Sequence, residues 1–153
     1  MFSKFINSFL DKKSTMKVHA HCDGPCGVYD PASTRVAAEA VLSMTKKLIA
    51  LEAPTNTDSA EWAAYSNTFS RYVAVKEEQA KETKKEILIL WTDYFKPVHL
   101  ETYPDLHEII WKAAKLCSAC KVNIDLAQAE ELMIYVEKFI IFSGLQKEDQ
   151  TLL

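Results

Sequence analysis

Only three glycines occur in 153 residues, and two of them, Gly24 and Gly27, fall in one short stretch near the N-terminus. A chain with so few glycines has few places for tight turns, which argues against many short strands and for long helices. The apolar spacing agrees. Asp30 ahead of Pro31 pairs an N-cap residue with a favoured first helical residue. Val36, Ala40, Met44, Leu48 and Leu51 then mark one helical face that stops before Pro54. Asp58 with Glu61 has the spacing of a capping box, and Trp62, Tyr65, Phe69, Tyr72, Val73, Lys76 and Ala80 continue a stripe on a second helix. The run 76–86, KEEQAKETKKE, reads as a solvated charged face. The run 87–91, ILILW, has no partner strand and reads as the fully buried end of that helix, which Pro97 terminates. Pro104 opens a third helix with Leu106, Ile109, Ile110, Ala113 and Leu116 inside. Asp125 caps a fourth, carrying Leu126, Ala129, Leu132, Met133, Val136, Phe139 and Ile140, and Gly144 closes it. The expected fold is all-α, an antiparallel up-down four-helix bundle.

Length and composition bound the function. A chain of 153 residues is one domain's worth and can bury a core without staples. The net charge of −3 gives no support to nucleic-acid binding, which wants a basic patch. No apolar run approaches the roughly 18 residues of a membrane span. Residues 1–20 differ from the rest, with Phe2, Phe5, Ile6, Phe9 and Leu10 at helical spacing among four lysines. Ser3, Lys4, Asn7 and Ser8 break the unbroken apolar stretch that a secretory signal needs, so the segment reads as a cleavable pro-segment, and Val18-His19-Ala20 suits a protease that favours small residues before the cut. The domain reading is thus a leader over 1–20 and a bundle domain over 21–153, with a metal-binding hook at 21–29.

The four cysteines form two close pairs, Cys22/Cys26 and Cys117/Cys120. Close pairs mean metal or redox chemistry, or coincidence. Cys117 and Cys120 are one helical turn apart and read as small buried hydrophobes. His99 and His107 read as satisfied or interface histidines, and Trp62, Trp91 and Trp111 as core or subunit-interface residues. For His21-Cys22-xxx-Cys26 the residues alone leave inert thiols, a local disulfide and half of a zinc site open. Cleavage after Ala20 adds another option. The freed amine of His21, the backbone nitrogen and thiolate of Cys22 and the thiolate of Cys26 form a planar N2S2 set, with the His21 imidazole within axial reach. Square-planar N/S ligation suits nickel(II) or copper(II) rather than zinc or magnesium.

The segment HCDGPCGVYDP (21–31) resembles the nickel hook of the nickel-containing superoxide dismutases, and LWTDYFKPVHLETYPDLH (90–107) is similar to that family's central segment. The resemblance implies a cytoplasmic homohexamer of four-helix bundles, one nickel ion per subunit, superoxide as substrate and a processing protease for the leader. It assigns His21, Cys22 and Cys26 as nickel ligands. It places Asp23 and Tyr29 along the access path, and Tyr94, with Asp93 and Lys96 beside it, in the segment that packs over the hook. Lys96 is a candidate for steering the superoxide anion against an unfavourable net charge. There are two departures, one of which is the tail from Phe142 onward, unlike the family's usual ending. A Glu on the first helix and an Arg on the second, which in the family steady the axial imidazole, correspond here to Ala37 and Gln79, with Glu39 as a candidate substitute. The competing reading is a non-catalytic helical bundle that binds or buffers copper or zinc through its Cys-rich N-terminus.

Overall fold

A computed structural model describes residues 29–143, and among them the chain is helical with no strand. Helix α1 spans Ala32–Ile49 and α2 spans Ser59–Ile89. A π-helical turn, Leu90–Tyr94, continues α2. The short α3 covers Pro97–Thr102, α4 covers Leu106–Val122 and α5 covers Leu126–Ser143. The leader 1–20, the residues His21, Cys22, Asp23 and Cys26, and Gly144 with the tail lie outside the described residues.

The four long helices pack in a ring, α1 on α2, α2 on α4, α4 on α5 and α5 back on α1. The pairing is antiparallel. Ser33 at the start of α1 meets Glu86 near the end of α2, and Lys47 near the end of α1 lies over the ring of Tyr72. Lys76 reaches Cys120 while Trp91 packs on His107, which sets α2 against α4 in the same way. The expected up-down bundle is therefore present. The core runs through Ala38, Val41, Ala80, Ile87, Leu90, Leu106, Ile110, Ala113, Leu132, Val136 and Phe139.

Local expectations fare unevenly. Asp125 caps α5 as expected, its carboxylate accepting the Gln128 N–H at 3.2 Å. Asp30 accepts the Ala32 N–H at 2.9 Å, although the residue flanking α1 is Pro31. Asp58 caps α2 through the Ala60 N–H at 2.8 Å, but Glu61 does not close the box, because its carboxylate accepts from Asn56 at 2.9 Å. The buried face of α1 is Thr34, Ala37, Ala38, Val41, Thr45 and Leu48, rotated from the face expected, and Val36 is 55% exposed. Counting apolar residues missed the threonines. Thr45 satisfies its own hydroxyl on the Val41 carbonyl at 2.8 Å and so packs as an apolar residue. The ILILW run is not wholly buried either, since Ile87 and Leu90 face inward while Leu88 is exposed.

Two corrections concern segments that matter for the site. The charged run 76–86 is not a solvated face throughout, because Lys76 and Glu86 at its two ends are buried. Pro97 ends α2 as expected, forcing Lys96 into an extended conformation (φ −134°, ψ 164°), but it also occupies the first position of α3, a helix the periodicity did not reveal. Pro104 sits in a turn, and α4 begins two residues later.

Candidate metal centre and its surroundings

One end of the bundle gathers the start of α1, the end of α2, the whole of α3, the start of α4 and the end of α5. Tyr29, the last residue assigned to the hook and the first described, packs edge-on against Tyr94, with ring centroids 5.6 Å apart and planes at 61°. Tyr29 follows Cys26 by only three residues, a span of chain that reaches about 10 Å at most. The structure thus ties the described end of the hook to the segment that the sequence places over it.

Tyr94 occupies this position because α2 ends in a π turn. The Phe95 N–H donates to the Leu90 carbonyl at 3.1 Å, one residue wider than an α-helical bond, and Phe95 is extended (φ −68°, ψ 143°). A widened turn re-aims the side chains that follow it, and such turns recur at functional sites. Phe95 then points into the core, 8% exposed and 5.4 Å from the ring of Phe139. Tyr94 stays half-buried at the end of the bundle, and its hydroxyl donates to the Ser143 carbonyl at 2.6 Å. That bond anchors the phenol to the last turn of α5. The Tyr94 hydroxyl is thereby committed to a backbone acceptor.

The remaining assigned residues are distributed as follows. Asp93 and Lys96 are exposed beside Tyr94. Gln79 is half-buried on α2, about four helical turns before Tyr94. Ala37 is buried at 3% exposure on α1. Glu39 does not fit the substitute role suggested for it, because it is exposed and pairs with Arg35 at 2.5 Å one turn away.

Two residues at this end escaped the sequence reading. Glu86, 3% exposed, accepts a hydrogen bond from the Ser33 hydroxyl at 2.8 Å, so a carboxylate lies inside the bundle where α1 begins. Thr34, next to Ser33, is fully buried, and its hydroxyl has no partner among the described residues. A charged run gives no sign of which of its members turns inward, but Glu86 lies six and three residues from the buried Ala80 and Thr83, a spacing that marks the inner face. His99, read from the sequence as a satisfied or interface histidine, stacks on Tyr94.

Cys117 and Cys120 behave as expected. Both are buried, and burial pushes their thiols up, to about 12 for Cys117 and about 11 for Cys120. They are inert core side chains rather than a second ligand pair. Trp91 is half-buried among Phe95 and His107, whereas Trp62 and Trp111 are 42% and 56% exposed. Among the described residues no group of three or more His, Cys, Asp or Glu side chains is placed to hold a metal ion, and no helix is long and apolar enough to cross a membrane.

Comparison with known proteins agrees with this architecture. The family model for nickel-containing superoxide dismutase matches residues 16–143. A nickel superoxide dismutase of Streptomyces seoulensis is 39% identical over 121 residues, covering 79% of this chain and 83% of that protein. Its counterpart from Streptomyces coelicolor is 37% identical over 119 residues, covering 78% and 82%. A native nickel superoxide dismutase structure superposes with a TM-score of 0.66 at 34% identity, covering 84% of this chain and all of that one. With a match that spans both the Cys-rich N-terminal segment and the bundle behind it, the chain belongs to the nickel-containing superoxide dismutase family.

Proposed function

We propose that this chain disproportionates superoxide to dioxygen and hydrogen peroxide at a nickel ion held by residues 21–26, and that it becomes active when the bond between Ala20 and His21 is cut. The observation that carries this reading is the unbroken run HCDGPCGVYDP, whose tyrosine, Tyr29, packs 5.6 Å from Tyr94. The chemistry of the donor set fits nickel. A freed amine and a backbone nitrogen, with the thiolates of Cys22 and Cys26, would hold nickel, and the His21 imidazole would be a further donor. A metal held this way supplies a one-electron couple between nickel(II) and nickel(III), which thiolate and amide donors bring within range of superoxide.

The chain's own residues have the following parts. Residues 1–20 are a leader that keeps the His21 nitrogen an amide, which is a poor ligand, until a processing protease removes it. Residues 21–153 are the working domain, and 21–29 its hook. Tyr29 and Tyr94 form a wall beside the hook, with Tyr94 immobilised on Ser143. Asp23 and Asp93 border the approach, and Gln79 stands where the family carries a cation. Lys96 offers a positive charge to an anionic substrate. Loss of the leader removes four lysines and one aspartate and leaves the domain more acidic, so a local cation matters more for drawing in superoxide. Assembly as a homohexamer in the cytoplasm completes the proposal.

The test compares the intact chain with a chain beginning at His21, each loaded with nickel. Superoxide consumption and the electron paramagnetic resonance of the oxidised metal are measured. Only the cut form is expected to turn over and to give a rhombic nickel(III) signal. Equal activity in both forms, or none in the cut form, overturns the proposal. A mass measurement in solution checks the hexamer.

A further inference from the structure

His99 contacts three consecutive residues of the segment over the hook. Its ring stacks on Tyr94, with centroids 5.5 Å apart and planes at 17°. It meets Phe95 edge-on at 5.4 Å and 90°. Its Nδ1 accepts the backbone N–H of Lys96 at 2.9 Å, and its own backbone N–H donates to the Lys96 carbonyl at 2.9 Å. Because Nδ1 accepts, the neutral ring carries its proton on Nε2. The reciprocal pair caps α3, a helix of six residues too short to hold itself together in isolation.

These contacts couple two features that are otherwise independent. Tyr94 is fixed at its hydroxyl end by Ser143, and one face of its ring is left to be set by a neighbour. Lys96 is exposed, and being extended ahead of Pro97 its direction depends on what holds its backbone. One imidazole does both tasks. Phe95, locked into the core against Phe139, gives the assembly its fixed point.

We infer that His99 is the positioning residue of the access wall: it holds the Tyr94 ring and the Lys96 backbone in register, and so sets where the Lys96 charge meets incoming superoxide. The inference rests on the proposed roles of Tyr94 and Lys96. His99 touches no reacting atom in this account and acts through those two residues.

Two variants separate its functions. His99→Phe keeps a ring to stack on Tyr94 but removes the acceptor for the Lys96 N–H. His99→Asn keeps an acceptor at the same branch of the side chain but removes the ring. Two readouts are used. In the full-length chain, without nickel, amide hydrogen exchange at Lys96 is expected to speed up tenfold or more in His99→Phe and to stay near the parent's in His99→Asn. In the nickel-loaded chain beginning at His21, kcat/KM is followed against ionic strength. Parent and His99→Asn should lose kcat/KM as salt rises. Both Lys96→Gln and His99→Phe should start about threefold or more lower at low salt and show a flatter dependence. The double variant should be no worse than Lys96→Gln alone, since the two act through one charge.

Parental exchange at Lys96 in His99→Phe overturns the inference. So does a parental salt dependence in His99→Phe when Lys96→Gln has flattened it, and in that case the proposed function stands. If Lys96→Gln itself keeps the parental salt dependence, the steering role of Lys96 is wrong and the inference falls with it. A purely structural cap would lower the melting temperature in His99→Phe without changing the salt dependence.

Discussion

Two positions on α2 bury an ionisable side chain in opposite ways. Toward its middle, Lys76 is 1% exposed and sends its ammonium to the carbonyls of Cys120, Lys121 and Asn123, where α4 stops. Those carbonyls are the ones a helix leaves without intrahelical partners, and they carry the negative end of its dipole. A lysine from a neighbouring helix therefore serves as a C-terminal cap, and desolvation holds its pKa below the usual lysine value. Ten residues on, Glu86 is buried beside Ser33, where α1 begins. At the first site every acceptor is backbone and the purpose is closure. At the second, side chains meet side chains, a hydroxyl on Thr34 is left over, and regular helix gives way to a π turn. Irregular backbone and an unpartnered hydroxyl collect at the one site, and a lysine cap closes the end of α4 at the other.

The largest expected effect divides the two ends by activity. Cys22→Ser or Cys26→Ser should abolish superoxide turnover in the nickel-loaded, cut protein, a loss of about three orders of magnitude or more, because an alkoxide or alcohol cannot replace a thiolate donor. The far-ultraviolet circular dichroism should keep its helical amplitude, since the bundle from residue 32 to 143 has its own core. A variant with near-full turnover would show that the assigned sulfur is not a ligand.

At the closed end the same logic predicts a loss of stability without loss of chemistry. Lys76→Met keeps much of the buried stem and removes three hydrogen bonds, leaving carbonyls at the end of α4 without their donor. The expected cost is about 3 kcal/mol, read as a lower urea midpoint with an unchanged slope. Turnover below the unfolding transition should stay parental. If turnover fell in step with stability, the two ends would be coupled and the contrast drawn above would fail.

Much of this was legible before the structure. Prolines at 54, 97 and 104 and the apolar spacing between them marked the helices, and the family was readable because His21, Cys22 and Cys26 fall within six residues of one motif. What escaped shares a physical cause. Lys76 was placed on the inner stripe but not recognised as a cap, because its partners lie 44 to 47 residues away on another helix. Glu86 was hidden in a run that looks solvated, and its partner Ser33 is 53 residues distant. The rotated face of α1 was missed because buried threonines carry no hydrophobic signal. His99 read as one more satisfied histidine, and it is satisfied, by the backbone of Lys96. The features missed at both ends are polar groups whose burial is decided by tertiary partners, which local pattern does not encode.

A smaller effect is expected at the site end. Ser33→Ala removes the hydroxyl that donates to Glu86 at 2.8 Å. A hydrogen bond to a charged acceptor contributes about 2 kcal/mol, and the loss should appear in the urea midpoint. Ser33→Thr should restore most of it, since the donor is kept. Parental stability in Ser33→Ala would mean that other contacts carry the buried carboxylate.

The smallest effect at neutral pH comes from the last turns of α4, where Cys117 and Cys120 lie one turn apart beside the Lys76 cap. Their thiols ionise near 9.0 when unfolded, and burial raises them to about 12 and about 11 in the fold. The folded state therefore holds protons that the unfolded state has lost anywhere between those values. The stability they contribute is fully present below pH 9, and it falls as pH climbs through 9 toward 11 and 12. At pH 8 neither thiol should react with iodoacetamide over a time that fully modifies both in urea, because the thiolate is the reactive form and neither accessible surface nor ionisation is offered. Cys117→Ala with Cys120→Ala should flatten the alkaline limb of the stability profile while leaving turnover intact. Rapid modification of either thiol in the folded protein would show that this stretch of α4 opens and that the Lys76 cap does not hold it closed.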